Sequence, residues 1–175
     1  MSLELRTIYF YTASIKEWKN LLQPDRYKDI VIHSLKYLVD KKKLAVYGFV
    51  IMPNHFHIIW ELLAMNGKEK PHASFMKFTS HEFQKDMRLN HPDKLQGYEV
   101  ESVTRDYNFW QRDPLPIELY TQSVLEQKLI YIHNNPLQEH WNLCEEPEQY
   151  KYSSALFYAT GVDHFGILTH YIDRI

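Results

Sequence analysis

His55 and His57 stand either side of Phe56 in the run Tyr47-Gly48-Phe49-Val50-Ile51-Met52-Pro53-Asn54-His55-Phe56-His57-Ile58-Ile59-Trp60. The β-branched and aromatic flanks predict a strand. Alternate residues of a strand share a face, so both imidazoles point one way and Phe56 points the other, into a core. Two neutral imidazoles side by side supply half the donors of a divalent metal site. Alone, such a pair more often packs than catalyses, so a third ligand and a nucleophile must come from elsewhere. Lys128-Leu129-Ile130-Tyr131-Ile132-His133-Asn134-Asn135-Pro136 offers candidates. Leu119, Val124, Leu125, Leu129 and Ile132 recur at helical spacing, Thr121 is a candidate N-cap, and Pro136 ends the helix. Tyr131 and Asn135 are then i and i+4 on one face, so a phenol and an amide oxygen can reach one point. Taken by itself this segment reads better as a half-buried core tyrosine followed by a turn asparagine.

Together the two segments are specific. Met52-Pro53-Asn54-His55-Phe56-His57, followed by a helix ending Tyr131-Ile132-His133-Asn134-Asn135-Pro136, resembles the single-tyrosine HUH transposases, the insertion-sequence family that includes the REP-associated tyrosine transposases. Phe109-Trp110-Gln111-Arg112 and Tyr150-Lys151-Tyr152-Ser153-Ser154-Ala155 are further echoes, and the likeness runs from about Ile8 to about Ala155. The resemblance implies that His55, His57 and a polar residue four after the tyrosine bind a divalent metal. That residue is Gln in some branches and Asn in others, which Asn135 fits. The resemblance makes Tyr131 the nucleophile; the stretch from Leu63 to Phe109, longer than in compact members, leaves Tyr120 as the alternative.

The implied reaction explains the residue types. A tyrosine oxygen attacking a DNA phosphodiester leaves a 5′-phosphotyrosine and a free 3′-hydroxyl, conserving the bond for rejoining. A free phenol, with a pKa of about 10, is a weak nucleophile at neutral pH. A metal on His55, His57 and Asn135 would polarise the scissile phosphate. With Cys144 the only cysteine, structural zinc is not expected, and Mg2+ or Mn2+ suits the donor set. The implied partner is single-stranded DNA carrying a hairpin or REP-like palindrome. The Asn-Asn-Pro ending resembles the REP-associated branch, whose helix returns to its own sheet. A monomer with its site built in cis is therefore expected over a homodimer.

Composition agrees with an intracellular enzyme. A chain of 175 residues suits one domain, 1–175, with an insertion at about 90–107 and a C-terminal extension from about 145 to 175. An apolar content of 45%, with 13 Tyr, 9 Phe and 4 Trp, excludes disorder. One cysteine argues against a secreted disulfide scaffold, and no apolar run approaches a membrane span, so the cytoplasm is expected. A net charge of −2 is low for a DNA-binding protein, so local distribution must carry the contacts. Lys41, Lys42, Lys77, Lys85, Arg88 and Arg112 are the candidate phosphate contacts, though each lysine alone reads equally as a solvated charge. The aromatic surplus offers stacking platforms for unpaired bases.

The elements that must position these residues follow from the pattern. Strands are predicted at Thr7–Thr12, Leu44–Met52, His55–Leu63 and Tyr107–Arg112, the middle two joined at Pro53-Asn54. Asp25 is expected to cap a helix to about Lys41, with Ile30, Val31, Leu35 and Leu38 on its buried stripe. A second helix spans Ala73–Leu89 through Phe75, Met76, Phe78 or Thr79, and Phe83. Asn90–Arg105 reads as irregular. The order β-α-β-β-α-β plus a further helix predicts an α+β, ferredoxin-like split βαβ fold: an antiparallel sheet with helices on one face and an added C-terminal tyrosine helix. Three functions remain: a metal-dependent transposase or single-strand nickase-ligase, a non-catalytic single-stranded nucleic-acid binder of the same fold, and a small-molecule metal hydrolase. The last needs an acidic ligand, for which Glu61, on the same strand face as His57, is available.

Overall fold

Strand β1 (Ile8–Ser14) pairs on both edges, with β3 (His55–Leu62) on one side and β4 (Leu115–Glu118) on the other, and β3 pairs in turn with β2 (Leu44–Ile51). The sheet order is β2-β3-β1-β4, antiparallel throughout, in a computed structural model that describes residues 3–101, 106–111 and 114–174. Helix α1 (Asp25–Asp40) links β1 to β2 with β3 inserted between them, which is the expected split βαβ. Pro53-Asn54 makes the tight connection between β2 and β3, closed by Met52 N–H donating to His55 O at 2.8 Å.

The central strands are buried on both faces, as their near-continuous apolar sequences require. One face, with Tyr9, Tyr11, Phe56, Ile58 and Trp60, packs on α1 and on α2 (Pro71–Asn90) through Val31, Leu35, Phe75 and Phe83. The other face, with Ile8, Phe10 and Ile59, is covered by α4 (Gln122–Asn134) through Leu125, Leu129 and Ile132. Each such side chain, fully buried, stabilises by roughly 1.5–3 kcal/mol. Gly48 permits the close approach of α4, since a Cβ there would run into Leu129 Cδ2. It lies beside a bulge in β2, where the pairing shifts between Val46 and Gly48.

Several elements differ from the sequence reading. Asp25 is the first residue of α1 and not its cap; the cap position is Pro24, and the Asp25 carboxylate instead accepts from Lys28 Nζ at 3.1 Å. On α2 it is Thr79 that is buried and Phe78 that is exposed, and Thr79 Oγ1 accepts from Trp110 Nε1 at 3.0 Å. The predicted strand at Tyr107–Arg112 is replaced by β4 farther along. Phe109 and Trp110 are core fillers against Phe83, and Trp110 makes a single bridge to Ile15. Pro116 is tolerated in β4 because the strand lies at the sheet edge. Part of the expected irregular insertion is ordered as α3 (Pro92–Leu95) and a 3-10 turn at Gln96–Tyr98, which bury Leu95 and Tyr98. After α4 the chain returns along β2: Ser153 bridges Val50, a short helix α5 (Ala155–Thr160) follows, and Leu168 bridges Val46.

Candidate active site

The two histidines open β3, and pairing with β1 sets Thr12 opposite His57 and Ser14 opposite His55. Cross-strand neighbours lie within side-chain reach, and Thr12 Oγ1 shares a 2.7 Å hydrogen bond with His57 Nδ1. His55 Nδ1 donates to Asn54 Oδ1 at 2.7 Å, which leaves the Nε2 lone pair of His55 available. The rings lie 4.8 Å apart, centre to centre. Burial holds His57 down to about 3, with the neighbouring His55 and Lys128 charges adding to the effect. Burial likewise holds His55 down to about 4, with His140 contributing. Both imidazoles are therefore neutral at physiological pH, the state in which they donate to a metal.

Helix α4 delivers the rest. Thr121 Oγ1 accepts from Val124 N–H, so the predicted cap is in place. Three apolar residues pin the helix to the sheet, which turns Tyr131 toward His57 at 5.3 Å between ring centres, with Phe10 edge-on at 6.2 Å. Tyr131 remains 44% exposed. Asn135, in the 3-10 turn that ends α4, is 2% exposed, and its Oδ1 has no hydrogen-bond partner among the described residues. A buried orphan acceptor costs free energy unless something meets it. Tyr131, Asn135, His55 and His57 line one cleft of about 360 Å3, together with Thr12, Trp18, Asn54, Gln138, His140 and Trp141. Among the described residues no three His, Cys, Asp or Glu side chains group as a metal centre. Two neutral imidazoles, held from behind on their Nδ1 atoms, and a buried unpaired amide oxygen fit a divalent cation.

The remainder of the Tyr-Ile-His-Asn-Asn-Pro run is structural. Ile132 is fully buried, and His133 Nε2 shares a hydrogen bond with Ser154 Oγ at 2.8 Å, while Ser154 Oγ also accepts from Phe49 N–H. That contact gives Ser154 of the later echo its place, while Ser153 Oγ accepts from Ala155 N–H at 3.1 Å.

Tyr120 lies elsewhere. It precedes α4, is 80% exposed, and donates to Glu118 Oε2. Glu61 shares the strand face of His57 but is not in the cleft: it is buried, accepts from Arg174 at 2.8 Å and from Tyr47 Oη at 2.7 Å. Among the described residues, the predicted phosphate contacts Lys41, Lys42, Lys77, Lys85 and Arg88 do not line this cleft. Lys41 and Lys42 are exposed at the end of α1, next to Lys43, whose carbonyl accepts from Leu63 N–H at the end of the sheet remote from His55. Lys77, paired with Glu69, lines a larger hollow of about 690 Å3 on the α2 side of the sheet. Lys85 is exposed, and Arg88 lies over the Tyr107 ring. Arg112 lies outside the described residues. The cation near the phenol is one the sequence reading passed over. Lys128, one turn before Tyr131, holds its Nζ 4.8 Å from the Phe10 ring centre and 5.9 Å from that of Tyr131. Its i, i+3 spacing from Tyr131 on the same predicted helix is the signal for it.

No protein-family profile and no curated protein matches the chain. Among solved structures, a REP-associated tyrosine transposase bound to a REP hairpin is similar over 94% of this chain and 90% of that one, at 17% identity and a TM-score of 0.62. A Deinococcus radiodurans R1 protein provisionally designated a transposase aligns over 77% of this chain and 94% of its own, at 18% identity and a TM-score of 0.41. The chain therefore shares the fold of a REP-associated tyrosine transposase, in keeping with the resemblance read from its motifs. Among the described residues no helix is long and apolar enough to cross a membrane.

Proposed function

We propose that this protein is a single-tyrosine DNA transposase of the HUH type, cutting and rejoining single-stranded DNA at hairpin ends through Tyr131. The carrying observation is the cleft in which a half-exposed phenol, two neutral imidazoles and an orphaned buried amide oxygen converge. The shared fold with a transposase bound to a REP hairpin supports the same substrate class.

The residues divide the work as follows. Tyr131 Oη forms a bond to the phosphorus of a DNA phosphodiester and gives up its proton. The bond from phosphorus to the 3′-oxygen breaks, and that oxygen takes a proton to leave as a hydroxyl. Phe10 and His57 pack on the tyrosine ring and fix its approach. Lys128 Nζ, with no carboxylate pairing it among the described residues, is placed to meet phosphate charge beside the phenol. His55, His57 and Asn135 would hold Mg2+ or Mn2+, which when bound would polarise the scissile phosphate. Thr12 and Asn54 hold the imidazoles from behind.

A non-catalytic single-strand binder would have no need of a phenol held open beside neutral imidazoles. A metal hydrolase would lack its acidic ligand, because Glu61 is committed to Arg174 and Tyr47. The test uses a radiolabelled hairpin with single-stranded flanks. Tyr131→Phe abolishes the covalent protein–DNA adduct on a denaturing gel while hairpin binding persists, and Tyr120→Phe keeps the adduct. An adduct that survives in the first variant and is lost in the second would transfer the role to Tyr120.

A further inference from the structure

Trp18 is 61% exposed at the rim of the tyrosine cleft, where it meets the His55 ring edge-on at 6.3 Å. An indole is seldom left in water without a partner, because its large apolar surface gains most from being covered. Its backbone is also costly to keep: Glu17 and Trp18 both have φ near +55°, a left-handed conformation that side-chain-bearing residues rarely adopt and almost never in succession. Such a turn persists only where its surroundings hold it.

Those surroundings come from residues 97–99 of the insertion and from residues 109–111 that follow it. Lys16 N–H donates to Phe109 O at 2.7 Å, and Gln111 N–H donates to Ser14 O at 2.6 Å. Glu17 N–H donates to Gln111 Oε1, Lys16 Nζ to Glu99 O, and Lys19 Nζ to Gly97 O. Lys19 also lies over the Tyr98 ring, whose own face is stacked on Phe109 at 4.8 Å. Residues 97–99 and 109–111 thus clamp the turn from one side, and Asn54, which holds His55, donates to Trp18 O from the other.

We infer that Trp18 is a stacking platform for an unpaired nucleobase of the bound strand, and that residues 97–99 of the insertion, with residues 109–111 after it, hold it at the cleft rim. The inference rests on the single-strand substrate proposed above. A strand that brings a phosphate to Tyr131 and the histidines must carry its neighbouring bases across the same cleft, of which Trp18 is a wall. Trp141, 5.9 Å from His55, continues that wall. Every base has a π-face, so stacking on tryptophan binds a strand without reading its sequence.

The probe is an oligothymidylate of about twelve nucleotides and a fully abasic strand with the same backbone. Trp18→Ala is expected to weaken oligothymidylate binding about tenfold while leaving the affinity for the abasic strand unchanged. Trp18→Phe retains most of the wild-type preference for the strand with bases. A 2-aminopurine in the oligomer is quenched by the wild-type protein and not by Trp18→Ala. An equal loss on both strands, or no loss on either, would overturn the inference. Wild-type protein that forms the Tyr131 adduct on hairpin DNA but shows no Trp18-dependent preference for bases would sink this inference alone. Wild-type protein that binds neither strand and forms no adduct would sink the proposed function with it.

Discussion

A histidine pair becomes a metal site through the atoms that stand behind it. Thr12 Oγ1 fixes His57 by its Nδ1, and Asn54 Oδ1 fixes His55 in the same way, so the ring orientations are set by β1 and by the hairpin loop. Loss of such an outer contact typically weakens metal binding by about 10–100-fold. Thr12→Val keeps the shape and removes the hydroxyl. It is expected to weaken Mn2+ affinity about tenfold in a titration without DNA, followed by paramagnetic resonance, with the melting temperature nearly unchanged. An unaltered affinity would mean that the histidines do not hold the metal. In the sequence, strand and helix periodicities give the two histidines, Tyr131 and Asn135 a face each, and the resemblance carried by the two motifs together singles them out as a set. Thr12 was not legible there, since its role depends on the strand register that pairs it with His57, which no local pattern encodes. Lys128 was legible and was passed over in favour of lysine clusters on α1 and α2.

At the scale of elements, helical periodicity located α1, α2 and α4, and apolar runs located β2 and β3, to within a few residues. The failures fell where an apolar run serves tertiary packing. Phe109 and Trp110 read as a strand because aromatic residues favour strands, yet they fill the space above Phe83 while β4 forms later around Pro116. The C-terminal segment matters in a way that composition hides. Arg174 reaches back to the buried Glu61 on β3, and Tyr47 on β2 donates to the same carboxylate. Burial alone would raise the Glu61 pKa, but the hydrogen bonds from Arg174 and Tyr47 outweigh it and the net shift is downward. A carboxyl depressed in the folded state adds stability above its unfolded value of about 4.3, and that stability is lost as pH falls through the folded value. Arg174→Ala is expected to cost roughly 1–3 kcal/mol at pH 7, measured by urea denaturation. The gap between variant and wild type should narrow as pH falls below about 4, near the unfolded carboxyl value. A gap that is constant from neutral to acid pH would show that the pair contributes no charge-dependent stability.

For the whole molecule, the decisive matter is whose histidines each tyrosine serves. Helix α4 is not a free arm: Leu125, Leu129 and Ile132 are buried against the chain's own β2 and β3, and Gly48 is shaped to admit it. Thr121 caps its start, and His133 ties its last turn to Ser154, which is itself bonded to Phe49 on β2. Moving the helix to a second chain would expose that apolar face and break those contacts in both copies. The arrangement that already joins Tyr131 to His57 within one chain at 5.3 Å needs no such exchange. The aromatic segment after α4 continues the cover: Tyr150 Oη donates to Ile51 O, and Tyr158 Oη bonds Tyr47 O. We therefore expect a monomer acting in cis. Light scattering should give the mass of one chain, with and without hairpin DNA. Mixing Tyr131→Phe with His57→Ala provides the sharper check, because one variant keeps the ligands and the other keeps the nucleophile. If the site is built in cis, neither protein holds a complete set and the mixture stays inactive at every ratio. Cleavage restored by mixing would require a tyrosine from one chain to reach the histidines of another, and with it the release of α4 from the sheet on which it lies here.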